Sequence, residues 1–226
     1  MPQDQSSTVH KISNKLIDWW KHDGRDFPWR HSNSPYRILI AELMLHRTRA
    51  SQVESIYSNF IHKYPRFEDL IAAQSDEIYS FLRPLGLNWR IESIIELLKE
   101  LKEVYHGKIP NRKQELIYLT GVGDYVASAI MCFAYGYPEI VVDTNTSRVV
   151  SRLKGFQETG EMRRKKEVRE AYRKILDTEK PREFNYALLD LGALICTPRN
   201  QKCQICPVIQ WCLTGKKEVR KLEKSS

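Results

Sequence analysis

Residues 119–149 read LTGVGDYVASAIMCFAYGYPEIVVDTNTSRV, and this stretch decides the fold. Gly121 and Gly123 stand between two helical patterns. Glycines so close permit a tight turn and let backbone N–H groups approach a ligand directly. The following helix starts at Asp124 and aims its positive end the same way, which suits a phosphate. Asp124–Tyr135 is strongly apolar and is stopped by Gly136. Ile140–Val142 is a β-branched run too brief to found a sheet. Another helix follows over Thr144–Lys154, with Asp143 at its cap position.

The same helical spacing extends outward from this block. Ile12, Leu16, Ile17 and Trp20 form one amphipathic face. Pro35 opens the next helix, which runs through Leu43 toward Thr48. Further helices are predicted at Ser51–Lys63, Phe67–Ala73, Asp76–Leu82 and Arg90–Tyr105. Asn111 is expected to cap Arg112–Tyr118, and Lys165–Asp177 and Arg182–Ile195 complete the set. The predicted fold class is all-α.

The chain has 226 residues, is 42% hydrophobic and carries a formal net charge of +8. It can bury a core, and its basic balance suits an anionic partner such as nucleic acid. No segment is apolar enough to span a membrane, and Met1–Thr8 carries no signal-peptide core. The expected location is intracellular, in the cytoplasm or nucleoid if the source is prokaryotic. Lys and Arg concentrate in Arg163–Lys174 and Lys216–Lys224, as phosphate contacts or as solvated faces.

Cys196, Cys203, Cys206 and Cys212 form C-x6-C-x2-C-x5-C. Four soft thiolates on a short loop can surround zinc or an iron–sulfur cluster. Zinc sites usually pair two C-x2-C knuckles, and here there is one close pair, so the spacing favours iron–sulfur. Disulfides are disfavoured by compartment. Cys132, inside an apolar helix, reads as an ordinary core cysteine.

The hairpin, the apolar helix, Gly136 with Pro138, and the V-V-D-T-N-T-S-R-V segment closely resemble the endonuclease III superfamily of helix-hairpin-helix DNA glycosylases. The cysteine spacing after an apolar helix resembles that superfamily's cluster loop. The resemblance covers about Leu16 to Cys212 and implies two helical lobes with a DNA cleft between them. One is a six-helix barrel-like lobe over 33–140 that contains the hairpin. The other, over 1–32 and 141–226, gathers the terminal helices. It holds a [4Fe-4S] cluster on Cys196, Cys203, Cys206 and Cys212, in a structural role. Gly121 and Gly123 would meet a DNA phosphate, and Thr120 stands where the family usually has proline.

Asp143 is the expected catalytic carboxylate. Breaking an N-glycosidic bond builds positive charge on the sugar, which a fixed carboxylate stabilises, and the carboxylate can also activate water. Its other reading is a cap for the helix at Thr144, and both roles can coexist. Family members that also nick the strand carry a lysine where this chain has Tyr125, and tyrosine forms no Schiff base. Tyr125 could instead stack on an extruded base. Ala41–Thr48 also resembles the family. Glu42 there is either a pocket-facing, protonated general acid or part of a solvent-facing turn. His46 and Arg47 fall where the family fills the gap left by a flipped base. Leu87, in Gly86–Arg90, falls on a second insertion loop, one residue shorter than in some relatives. Asp26–Arg30 is similar to the amino-terminal segment of adenine and mismatch glycosylases and is assigned no chemistry.

The implied function is a monofunctional, monomeric glycosylase in base excision repair, acting on double-stranded DNA containing a mismatched or deaminated base, with no membrane partner. It would remove thymine or uracil opposite guanine. One alternative is an adenine glycosylase. Relatives removing adenine opposite oxidised guanine usually carry a further C-terminal domain, whereas only Leu213–Ser226 follows Cys212 here. The alternative of another class is a non-catalytic iron–sulfur DNA-binding module.

Overall fold

A computed structural model describes residues 3–86 and 88–225. In chain order the helices are α1 Gln3–Asp23, α2 Pro35–Leu45, α3 Ala50–Lys63, α4 Phe67–Ala72, α5 Ser75–Leu82, α6 Asn88–Glu103, α7 Lys113–Tyr118, α8 Asp124–Phe133, α9 Thr144–Lys154, α10 Lys166–Ile175, α11 Pro181–Leu194 and α12 Leu213–Ser225. Among the described residues there is no strand, so the all-α expectation holds. The chain divides into two compact units, one of residues 26–135 and one of residues 1–25 with 136–226.

The 26–135 unit contains α2 to α8. Helix α2 starts where Pro35 pre-sets the backbone and the Ser34 side chain accepts from Arg37 N. Its neighbours are α3 and α8. The core is aliphatic and aromatic, with Leu39, Phe60, Leu70, Leu97, Leu101 and Ile130 fully enclosed. Buried polar tips are satisfied locally: Tyr36 OH donates to Tyr64 O at 2.6 Å, and Tyr135 OH to Ile109 O at 2.9 Å. Asn111 does not cap α7. Arg112 occupies the N-cap, without a side-chain cap bond.

The other unit packs α1, α9, α10, α11 and α12. Ile12, Leu16 and Ile17 of α1 join Val150, Val168, Tyr172, Phe184 and Leu188 in one core cluster. Helix α1 is longer than the apolar face of residues 12–20 suggested, because polar turns extend both ends. Its end is tied to α11 by Asp190, a fully buried carboxylate. It accepts from Arg25 Nε at 2.6 Å, Arg25 N at 2.8 Å and Trp20 Nε1 at 3.1 Å. The basic run over α10 and the 3₁₀ turn before it is largely exposed. Val168, Ala171, Tyr172 and Ile175 turn inward, while Arg163 and Arg164 pair with Glu161 and Lys166 with Glu170.

Residues 139–143 belong to neither helix nor strand, so their backbone groups need other partners. Buried Asn185 supplies them: its Oδ1 accepts from Val141 N at 3.0 Å, and its Nδ2 donates to Glu139 O at 3.0 Å. Tyr172 OH fixes that amide by donating to Asn185 Oδ1 at 2.7 Å. Thr146 Oγ1 donates to Val141 O at 3.0 Å. The link is thereby held as firmly as a strand, and it delivers Asp143 to the start of α9.

Candidate active site and thiol cavity

Asp143 is the N-cap of α9. Its Oδ1 accepts from Thr146 N at 2.7 Å, and Thr146 Oγ1 accepts from Asp143 N at 2.9 Å. The cap reading is therefore a fact of the structure, and it leaves the carboxylate half-buried with a fixed orientation. Oδ2 takes one further bond, from Asn145 Nδ2 at 3.1 Å.

Behind Asn145 lies Arg148, buried and unanticipated from the sequence. Its Nη2 donates to Asn145 Oδ1 at 2.9 Å and to Gly192 O at 2.7 Å, and its Nε donates to Cys196 O at 2.8 Å. One turn later Arg152 Nη1 donates to Thr197 O at 2.7 Å and reaches Cys196 Sγ at 3.7 Å. Two arginines four apart on α9 thus clamp the start of the cysteine loop. The R-x3-R spacing was the one available signal.

Cys196, Cys203, Cys206 and Cys212 line a single small cavity of about 30 Å³, together with Arg152 and Ile209. Cys212 Sγ also accepts from Gly215 N at 3.2 Å. Burial pushes the Cys206 thiol up to about 12 and raises Cys203 and Cys212, so metal entry must displace protons. Among the described residues no three His, Cys, Asp or Glu side chains converge closely enough for a single ion. Four soft thiols around one shared space supply the donor set of a thiolate-bound metal group. Cys132 belongs to the core of the other unit.

In the 26–135 unit, the hairpin joins α7 to α8. Gly121 has φ +75, the left-handed conformation that favours glycine. Gly123, with φ −88 and ψ 178, is ordinary extended backbone; a side chain there would meet nothing within 4 Å. Only the first glycine is therefore demanded by geometry, and the second leaves the approach to α8 open. Thr120 N donates to Glu100 Oε2 at 2.9 Å, a bond that proline could not make. Tyr125, in the first turn of α8, is half-buried.

Glu42 sits on α2 with 6% exposure, which removes the solvent-facing alternative. His46 and Arg47 form the turn after α2. The His46 ring meets Trp89 edge-on, with centroids 5.7 Å apart, and the Arg47 guanidinium lies 5.9 Å from the same ring. Burial, then the Arg47 and Arg90 charges, push the His46 pKa down and keep the imidazole neutral at neutral pH. Leu87 lies outside the described residues.

Residues 40–177 match the model of the HhH-GPD superfamily of base excision DNA repair proteins, and the chain belongs to that superfamily. It is 37% identical over 198 residues to the thymine/uracil-DNA glycosylase of Methanothermobacter thermautotrophicus, covering 87% of this chain and 90% of that protein. A solved thermostable thymine-DNA glycosylase superposes with a TM-score of 0.82 at 35% identity, covering 95% of this chain and 98% of that one. An adenine DNA glycosylase from Buchnera aphidicola is 31% identical, over 93% of this chain but 61% of that protein.

Proposed function

We propose that the chain is a monofunctional mismatch DNA glycosylase that removes thymine or uracil opposite guanine and leaves the strand uncut. What carries the reading is the half-buried, oriented Asp143 carboxylate, in a chain that matches a thymine/uracil-DNA glycosylase over nearly the whole length of both.

Asp143 stabilises the positive charge that grows on the sugar as the C1′–N bond lengthens. The bonding pair leaves with the base, and Glu42, buried on α2, is the general acid that gives the base its proton. Water adds its oxygen to C1′ and gives up a proton to Asp143, which completes the hydrolysis. Tyr125 offers no amine, so no Schiff base forms and no strand cleavage follows. Gly121, Gly123 and the start of α8 hold a phosphate through backbone N–H groups. Cys196, Cys203, Cys206 and Cys212 hold a [4Fe-4S] cluster, which orders the loop and takes no part in base removal.

The deciding experiment incubates the protein with duplexes bearing G·T, G·U, adenine opposite oxidised guanine, or an oxidised pyrimidine, then applies alkali. Thymine and uracil should be released, with strands intact before alkali and little adduct trapped by borohydride. Release of adenine alone would establish the second reading, which the Buchnera relative supports. DNA binding without release of any base would establish a binding module. Efficient borohydride trapping by the wild type would end the monofunctional reading. Tyr125→Lys should add some trapped adduct and nicking, provided burial lowers the new amine's pKa.

A further inference from the structure

Arg90 lies in the first turn of α6 and is only 3% exposed. Its Nη1 donates to Met44 O at 3.0 Å, His46 O at 2.5 Å and Thr48 Oγ1 at 2.8 Å. Its Nη2 donates to Leu85 O at 3.1 Å and Gly86 O at 3.2 Å. The first three acceptors belong to the end of α2 and the turn that follows, the last two to the turn that precedes α6. One guanidinium therefore bridges two turns that are far apart in sequence.

The bridged turns carry strain and an exposed aromatic. Arg47 has φ +60, a left-handed backbone that a non-glycine residue adopts only at a steric cost. Such a conformation persists only where its surroundings over-determine it. Arg90 binds the residue on either side of Arg47, at His46 O and Thr48 Oγ1. Trp89, in the first turn of α6 directly after the second turn, is 46% exposed and receives the His46 edge and the Arg47 guanidinium from the first. The two turns thus present one surface of aromatic, imidazole and cation, supported from within by Arg90.

We infer that Arg90 is a positioning residue that locks the His46–Thr48 turn and the Leu85–Gly86 turn into one rigid unit, so that His46, Arg47 and Trp89 act together in holding open the stack a base has left. The inference rests on the proposed glycosylase function and on the resemblance by which His46 and Arg47 fall where the family fills the gap left by a flipped base. The site calls for arginine because a planar fork can serve two turns at once. A lysine presents the same charge as a single point and cannot span both.

Arg90→Lys tests this. Under single turnover, uracil release from a G·U duplex should fall by about tenfold or more, the equivalent of losing one charged hydrogen bond. Uracil within a loop of unpaired bases, where no stack must be held open, should lose less than about twofold. Amide hydrogen exchange should quicken together at His46, Arg47, Thr48, Gly86 and Trp89, and stay unchanged at Asp143 and Thr146. Thr48→Val removes one acceptor and keeps the guanidinium. It should shift the duplex-to-loop ratio in the same direction by about two- to threefold, and it serves if Arg90→Lys fails to fold. Equal losses on both substrates, or faster exchange in one turn alone, would overturn the inference. A wild type inactive on every duplex would defeat the functional reading instead, and the exchange data alone would then decide the role of Arg90.

Discussion

Asp143→Asn is expected to lower single-turnover base removal by about a hundredfold to a thousandfold, the scale seen when a preorganised charge-stabilising group is lost. Folding should change little. The amide oxygen still caps α9 by accepting from Thr146 N, and Thr146 Oγ1 still receives the Asp143 N–H. DNA affinity should hold or rise, because a negative charge is removed from a surface that meets a polyanion. Asp143→Ala separates the two roles. It loses the charge and the cap, so it should be as inactive as the asparagine variant and additionally less stable by about 1 kcal/mol. For a chain of this size that is about 2–4 °C in Tm. Near-normal release by Asp143→Asn would reduce the residue to a helix cap.

The start of α9 was legible because Asp143 and Thr144 carry a local cap signal and Gly155, in left-handed backbone, stops the helix. Helix α8 was legible from its apolar run, though it ends before Gly136 because the last turn closes on Ile130 O. The cap expected of Asn111 failed because the turn of chain at α7 places Arg112 at the N-cap instead. The polar residues that hold the site were not legible. Asn185, Arg148 and Arg90 each read as one more polar residue in a helical pattern, and each serves backbone groups contributed by a distant part of the chain. Local propensity reports on the helix a residue occupies, not on the acceptors that tertiary packing brings to it. Asp190 is the same case: a carboxylate in α11 is unremarkable in sequence, and its full burial follows only from where Arg25 and Trp20 arrive.

Cys206→Ser is expected to give colourless protein, lacking the broad absorbance near ~400 nm that the wild type should show from thiolate-bound iron. The stability loss should be large for a physical reason visible in the loop. Between α11 and α12 the regular structure amounts to two single-turn 3₁₀ segments, Cys203–Ile205 and Ile209–Trp211. Ile195 and Val208 of the loop join the core, and Trp211 and three of the four cysteines pack partly buried against it. The Arg148 and Arg152 side chains donate to the carbonyls of its first residues, and the remainder encloses the four-cysteine cavity. Removing one ligand leaves the other thiols around a cavity with no common partner. Several kcal/mol should then be lost, or about 10 °C or more in Tm at 2–4 °C per kcal/mol for a chain this long. The 26–135 unit, whose core contains none of these cysteines, should keep its helical signal to a higher temperature. Iron and sulfide analysis of the wild type, with melting of both proteins followed by circular dichroism, makes the comparison. Stoichiometric zinc in iron-replete wild type, or an unaltered melt in the serine variant, would refute the cluster and its structural role.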